Sequence, residues 1–156
     1  MSIAHRLTAA LLGILICGAN PCLRAGTPEQ WAAAEQAAMA LAADQEKRAD
    51  FHFRAEAWVG DLDPELGKAV KLQLFKGHEY CIAVATPRAE RQRITGVVLD
   101  LDGEPVGEIQ PVLDGWGFLL FFKPRRTGHY VVAMRHDAKK GAKIKPTACA
   151  IVTGYR

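Results

Sequence analysis

Two periods divide this chain. Trp31, Ala34, Ala38 and Leu41 fall at three- or four-residue spacing, while Phe51, Phe53, Ala55 and Ala57 alternate with polar or bulky neighbours. The first period is that of one helix face, the second that of a half-buried strand. The Ala-rich stretch around the first set has high helix propensity, and Thr27-Pro28-Glu29-Gln30 has the order of a capping box with proline at the first helical position. Lys47 and Arg48 suit the negative end of the helix dipole, and Asp44 stands four residues before Arg48 as an ion pair requires. A helix is therefore predicted over 28–48.

Short strands separated by turn residues are predicted after Asp50. Val70 to Leu74 alternates, Gly77-His78 turns, and Tyr80, Ile82 and Val84 resume the inward side. Ile94 to Leu101 runs into Asp102-Gly103, a strong hairpin signal, and Val106 to Ile109 returns. Phe118 to Phe122, His129 to Met134 and Ala148 to Thr153 complete the set, with the loops predicted at 60–67, 87–93, 124–128 and 138–146. One helix followed by seven or eight short strands, with no helical pattern between them, predicts a mainly β fold: an antiparallel β-sandwich or jelly roll with one N-terminal α-helix.

The first residues change this picture. Arg6 precedes an almost unbroken apolar run from Leu7 to Gly18, followed by Pro21 and Ala25. That is the order of a secretory signal peptide, and the run is short for a bilayer span, which needs roughly 20 apolar residues. The expected organisation is a signal peptide over 1–25, a helix packed on the domain over 26–50, and a β-sandwich domain over 51–156. The expected location is periplasmic or secreted, with no stable membrane span in the mature chain.

Cleavage after Ala25 leaves 131 residues, enough for one domain with a sizeable core. It also removes Arg6 and Arg24 with no acid, so the formal charge falls from +3 to +1, and no nucleic-acid partner is expected on charge. Cys81 and Cys149 remain. In an oxidising compartment a disulfide between them is expected, closing a loop of roughly 68 residues worth about 4 kcal/mol by chain entropy.

Residues from about 60 to 156 resemble the bacterial pre-peptidase C-terminal domains, small β-sandwich modules of secreted proteins. Three stretches carry the likeness: 74–82, with Gly77 and Tyr80; the Asp102-Gly103 hairpin within 98–106; and 121–132, with Pro124, Gly128 and Tyr130. The resemblance implies the sandwich fold and an exported setting. Each glycine also has a plain reading as a turn residue, and each tyrosine as a buried ring with a wet hydroxyl.

The chemistry is bounded first by exclusion. Beyond the leader there is no serine and no asparagine, so serine-nucleophile catalysis and N-linked glycosylation are ruled out for the mature chain. No metalloprotease motif, phosphate-cradling glycine loop or dinucleotide fingerprint is present. Cys81 or Cys149 with His78, His129 or His136 is a conceivable nucleophile–base set; a disulfide or inert buried thiols is the preferred reading.

Asp61, Asp63 and Glu65 stand at alternate positions, a possible oxygen set for calcium, although the spacing departs from an EF-hand and equally describes an acidic loop. Otherwise no cofactor is expected. Three basic groups stand out: Arg88, Arg91 and Arg93; Lys123, Arg125 and Arg126; and Lys139, Lys140, Lys143 and Lys145. Converged, they would attract an anionic surface; separate, they are solvated loop tips. Trp116, flanked by Gly115 and Gly117, is either an exposed stacking platform or a ring covering the sandwich edge. The expected function is a non-catalytic exported domain binding an envelope or extracellular protein or glycan, with Trp116, Lys123, Arg125 and Arg126 as the candidate surface. The alternative is a structural subunit or inhibitor that docks through its helix, and an enzyme using Cys or carboxylates is the least favoured.

Overall fold

A computed structural model describes residues 26–90, 92–139 and 141–156; the expected leader, Arg91 and Lys140 lie outside the described residues. The chain opens with α1 (Pro28–Ala49). Thr27 caps it: the Gln30 N–H donates to Thr27 Oγ1 at 3.3 Å and the Thr27 N–H donates to Gln30 Oε1 at 2.9 Å, the reciprocal bonds of a capping box. Asp50 ends the helix in the left-handed region at φ 57°, and Arg48 pairs with Asp44 at 2.8 Å.

Among the described residues ten strands follow: β1 (His52–Phe53), β2 (Trp58–Leu62), β3 (Lys68–Leu74), β4 (Tyr80–Ala85), β5 (Ile94–Leu99), β6 (Pro105–Val106), β7 (Glu108–Val112), β8 (Gly117–Phe122), β9 (Gly128–His136) and β10 (Thr147–Tyr155). They form two antiparallel sheets. One has the order β1-β10-β4-β8-β7, with β2 also paired to β10; the other has the order β3-β9-β5-β6. The protein is thus a β-sandwich with one N-terminal helix.

The helix makes the six-stranded sheet a middle layer. Its two central strands, β4 and β10, are buried on both faces, and their side chains divide by size. Ile82, Val84, Cys149 and Ile151 face the other sheet. Cys81, Ala83, Ala85, Ala148 and Ala150, with the larger Val152, face α1, where they meet Ala34, Ala38 and Ala42. Small residues on both sides let helix and sheet pack closely, which a core of organic-crystal density requires. Trp31 fixes the helix by donating its indole N–H to Asp61 Oδ1 at 2.8 Å. Trp58 packs on the inter-sheet core, with Lys68 Nζ 5.6 Å from its ring centroid.

Three boundaries differ from the periodicity. The alternation at 51–57 yields only the two-residue β1, because Arg54, Ala55 and Glu56 are exposed, and β2 starts at Trp58 and runs into the supposed loop 60–67. The expected strand 106–109 divides at Gly107, whose φ of 82° lets the chain leave β6 in one sheet and enter β7 in the other.

The expected disulfide is absent: Cys81 and Cys149 are both free and fully buried. Register explains it. Cys81 lies opposite Gly154, five residues along β10 from Cys149. At 3.3 Å per residue the separation is about 17 Å, whereas a bridge needs Cα atoms within about 7 Å. The two thiols also point to opposite faces of the sheet.

Candidate functional site

Strand β8 separates what the sequence placed together. Trp116 precedes it; Lys123, Arg125 and Arg126 follow it. Seven residues of extended chain put Trp116 about 23 Å from Lys123, so the four candidate residues form no common surface.

Lys123, Arg125 and Arg126 border a cavity of about 860 Å³ together with Asp100, Asp102 and Glu108. Three bases face three acids, and Arg126 Nη2 lies 2.6 Å from Asp102 Oδ2. The local field is therefore close to neutral. Asp100 is a hairpin residue: its Oδ1 accepts from the Asp102 and Glu104 N–H groups at 2.9 and 3.0 Å. The Tyr130 hydroxyl donates to the Arg126 carbonyl at 2.7 Å. This resembles the tyrosine corner of other sandwiches and pins the β8–β9 turn.

The other end of the sandwich gathers the remaining basic groups. The loop 86–93 carries Arg88 and Arg93, and the loop 137–146 carries Lys139, Lys143 and Lys145, all five exposed. The loops meet where the Asp137 N–H donates to the Arg93 carbonyl at 2.9 Å. Arg93 Nε also lies 3.4 Å from Asp137 Oδ2, an exposed pair of small energetic weight. Trp116 belongs here. Its carbonyl accepts from both the N–H and the hydroxyl of Thr86 at 3.0 Å, and a Cβ on neighbouring Gly115 would come 3.1 Å from the Arg93 guanidinium carbon. The ring is half-buried, between the two readings its sequence allowed. With Arg91 and Lys140 counted from the sequence, the two loops hold seven bases against Glu90 and Asp137.

Between these loops lies a small cavity of about 170 Å³ lined by Gln92, Arg93, His136, Asp137, Lys143 and Ile144, among others. Polar atoms converge on this corner. Gln92 Oε1, both ring nitrogens of His136 and Thr147 Oγ1 are buried without a hydrogen-bond partner of good geometry. Burial pushes the His136 pKa below its usual 6.5, outweighing the opposite pull of the Leu62 backbone and the Asp63 carboxylate. Sequence reasoning missed this corner: His136 entered only as a conceivable base, and Gln92 and Thr147 carried no motif.

The three acidic candidates do not form one oxygen cage. Asp61 accepts from Trp31, while Asp63 Oδ1 accepts from the Glu65 and Leu66 N–H groups at 2.8 and 2.7 Å. Those backbone donors, Leu66 first, hold the Asp63 carboxyl below its ordinary pKa. Among the described residues, no group of three His, Cys, Asp or Glu side chains is placed to hold a metal ion. Burial pushes the Cys81 and Cys149 thiols up to about 12, so neither is a ready nucleophile. His78 packs against Tyr80 and Tyr155, and His129 lies opposite Gln73 on β3.

No protein-family model matches this chain, and neither does any curated protein.

Proposed function

We propose that this chain is an exported, non-catalytic β-sandwich domain that binds an acidic glycan at the cell envelope. The observation that carries the reading is the meeting of loops 86–93 and 137–146 at one end of the sandwich, with Gly115, the residue before Trp116, packed against the Arg93 side chain. Clustered cations raise the local concentration of a polyanion, and a half-buried indole adds an apolar face for a sugar ring. The opposite end, with acids matching its bases, does neither. The resemblance to pre-peptidase C-terminal domains accords with an exported binding role. Buried thiols of high pKa support a role without covalent catalysis.

The test is salt elution from an immobilised acidic polysaccharide and from its neutral counterpart. The Arg88→Gln/Lys139→Gln/Lys145→Gln variant should elute at lower salt, and Lys123→Gln/Arg125→Gln should elute with the parent protein. Equal retention on the neutral matrix, or indifference to the triple substitution, would refute the reading.

One observation favours a second reading, a protein partner. Helix α1 has turned its apolar side onto its own sheet, but the outer face of the four-stranded sheet carries a groove of about 670 Å³ lined by Ala69, Val97 and Ala133, with Leu66 89% exposed at its rim. Among the described residues, no helix is long and apolar enough to cross a membrane.

A further inference from the structure

We propose that the chain carries a docking site for its own processed end: cleavage after Ala25 creates an α-ammonium on Gly26, which pairs with the Asp61 carboxylate and locks the start of α1 onto the six-stranded sheet. This rests on the exported reading and goes beyond it.

Two fixed elements bring the groups together. The capping box holds Thr27 through both its N–H and its hydroxyl, which sets the position of the residue before it. Asp61 stands on β2 opposite Ala148 of β10, and its Oδ1 accepts from the Trp31 indole at 2.8 Å. A Cβ built on Gly26 would lie 2.9 Å from Asp61 Oδ1 and 2.6 Å from Trp31 Nε1. With a bond of about 1.5 Å between Cβ and Cα, the Gly26 Cα is within about 4.4 Å of that carboxylate oxygen. Position 26 therefore has no room for a side chain, and an anionic acceptor stands where one would go.

Processing changes what Gly26 can offer that acceptor. Before cleavage its nitrogen is a neutral amide held in a planar peptide bond. Hydrolysis by a leader peptidase puts the water oxygen on the Ala25 carboxyl and protons on the Gly26 nitrogen, and a terminal amine is mostly charged at pH 7. The freed nitrogen can turn about the Cα–C bond toward the place a Cβ would occupy, with the indole nitrogen limiting the swing. Charge-assisted bonds to oxygen span about 2.7–2.9 Å, which matches the position of Asp61 Oδ1. A carboxylate accepts more than one donor, so Trp31 keeps its bond. The new charge also needs this partner. A cation just before the N-cap stands at the positive end of the helix dipole, where it is unfavourable. Asp61 is half-buried, so its attraction is screened less than that of an exposed acid.

The test compares the chain that starts at Gly26 with its Nα-acetylated form, each with Asp61 or with Asp61→Asn. Asparagine keeps an acceptor for Trp31 and removes only the charge. Acetylation should lower the melting temperature by about 3 °C or more when Asp61 is present and leave the Asp61→Asn protein unchanged. Equal drops in both proteins, or no drop in either, would overturn the pairing. Reductive methylation of the Gly26 amine gives a reading that needs no variant: it should be at least tenfold slower in native protein than in urea, and equal rates count against the site. Full-length chain expressed in a bacterial host then separates this proposal from the reading beneath it. N-terminal sequencing of the periplasmic fraction should return Gly26. A periplasmic protein that starts elsewhere, such as at Asn20, overturns the docking site and leaves export standing; a chain found only in the cytoplasm with its leader attached overturns both.

Discussion

Reactivity of the two thiols is the sharpest check on the strand register. Two buried cysteines on neighbouring strands invite the assumption that they are bridged. The pairing of β4 with β10 instead puts Cys81 and Cys149 about 17 Å apart, one facing the helix and one the inter-sheet core. Both should be free, protonated and inaccessible. With pKa values near 12, the thiolate fraction at about pH 8 is on the order of 10⁻⁴, against roughly one quarter for an exposed cysteine. Alkylation of the native protein should therefore be slower by a factor on the order of 10³ from ionisation alone, and slower still because neither sulfur reaches solvent. The assay is iodoacetamide labelling without reductant, in buffer and in denaturant, followed by mass analysis of tryptic peptides 77–88 and 144–156. Both peptides should be unlabelled from native protein and fully labelled from unfolded protein. Adding a reductant should leave the melting temperature unchanged. A bridge would be worth about 4 kcal/mol, or roughly 10–20 °C in a chain of this size. A cross-linked peptide pair that appears without reductant, together with a melting temperature that drops on reduction, would show the register to be wrong.

Three further outcomes follow from particular contacts. Tyr130→Phe removes the hydroxyl that holds the Arg126 carbonyl and should lower stability by about 1–2 kcal/mol, measured as a shift in urea midpoint at constant m-value. Gly96→Ala places a Cβ about 2.5 Å from the Phe118 ring and 2.8 Å from the Ala133 carbonyl oxygen; the clash should cost about 1–3 kcal/mol or more in the same assay. Because the native His136 pKa is depressed below 6.5, the unfolded chain takes up that proton first as pH falls, so stability should be full above 6.5 and decline below it until the native ring also titrates. The melting temperature of His136→Gln should lack this part of the decline, and parallel pH curves for the two proteins would contradict the assignment.

The local features of the fold were legible because their causes are local. The capping box at Thr27 and the composition after it specify a helix whatever lies beyond. Alternation in 68–74, 94–99 and 128–136, with Asp102-Gly103 between strands, specifies half-buried hairpin strands. Two sheets around a shared interior follow from such strands, since each must bury one face. Where burial on both faces removed the alternation, as in β4 and β10, the pattern showed only the larger side chains and hid the small ones that receive the helix.

Nothing in residue spacing states which strand ends meet. Trp116 and Lys123 are neighbours in sequence and lie at opposite ends of an extended strand; Arg93 and Asp137 are 44 residues apart and touch. Whether the basic groups converge, whether Cys81 can reach Cys149, and where His136, Gln92 and Thr147 bring their polar atoms all depend on long-range register. Register is set by how two faces of a sheet fill with side chains, a property of the assembled layers that no single segment carries.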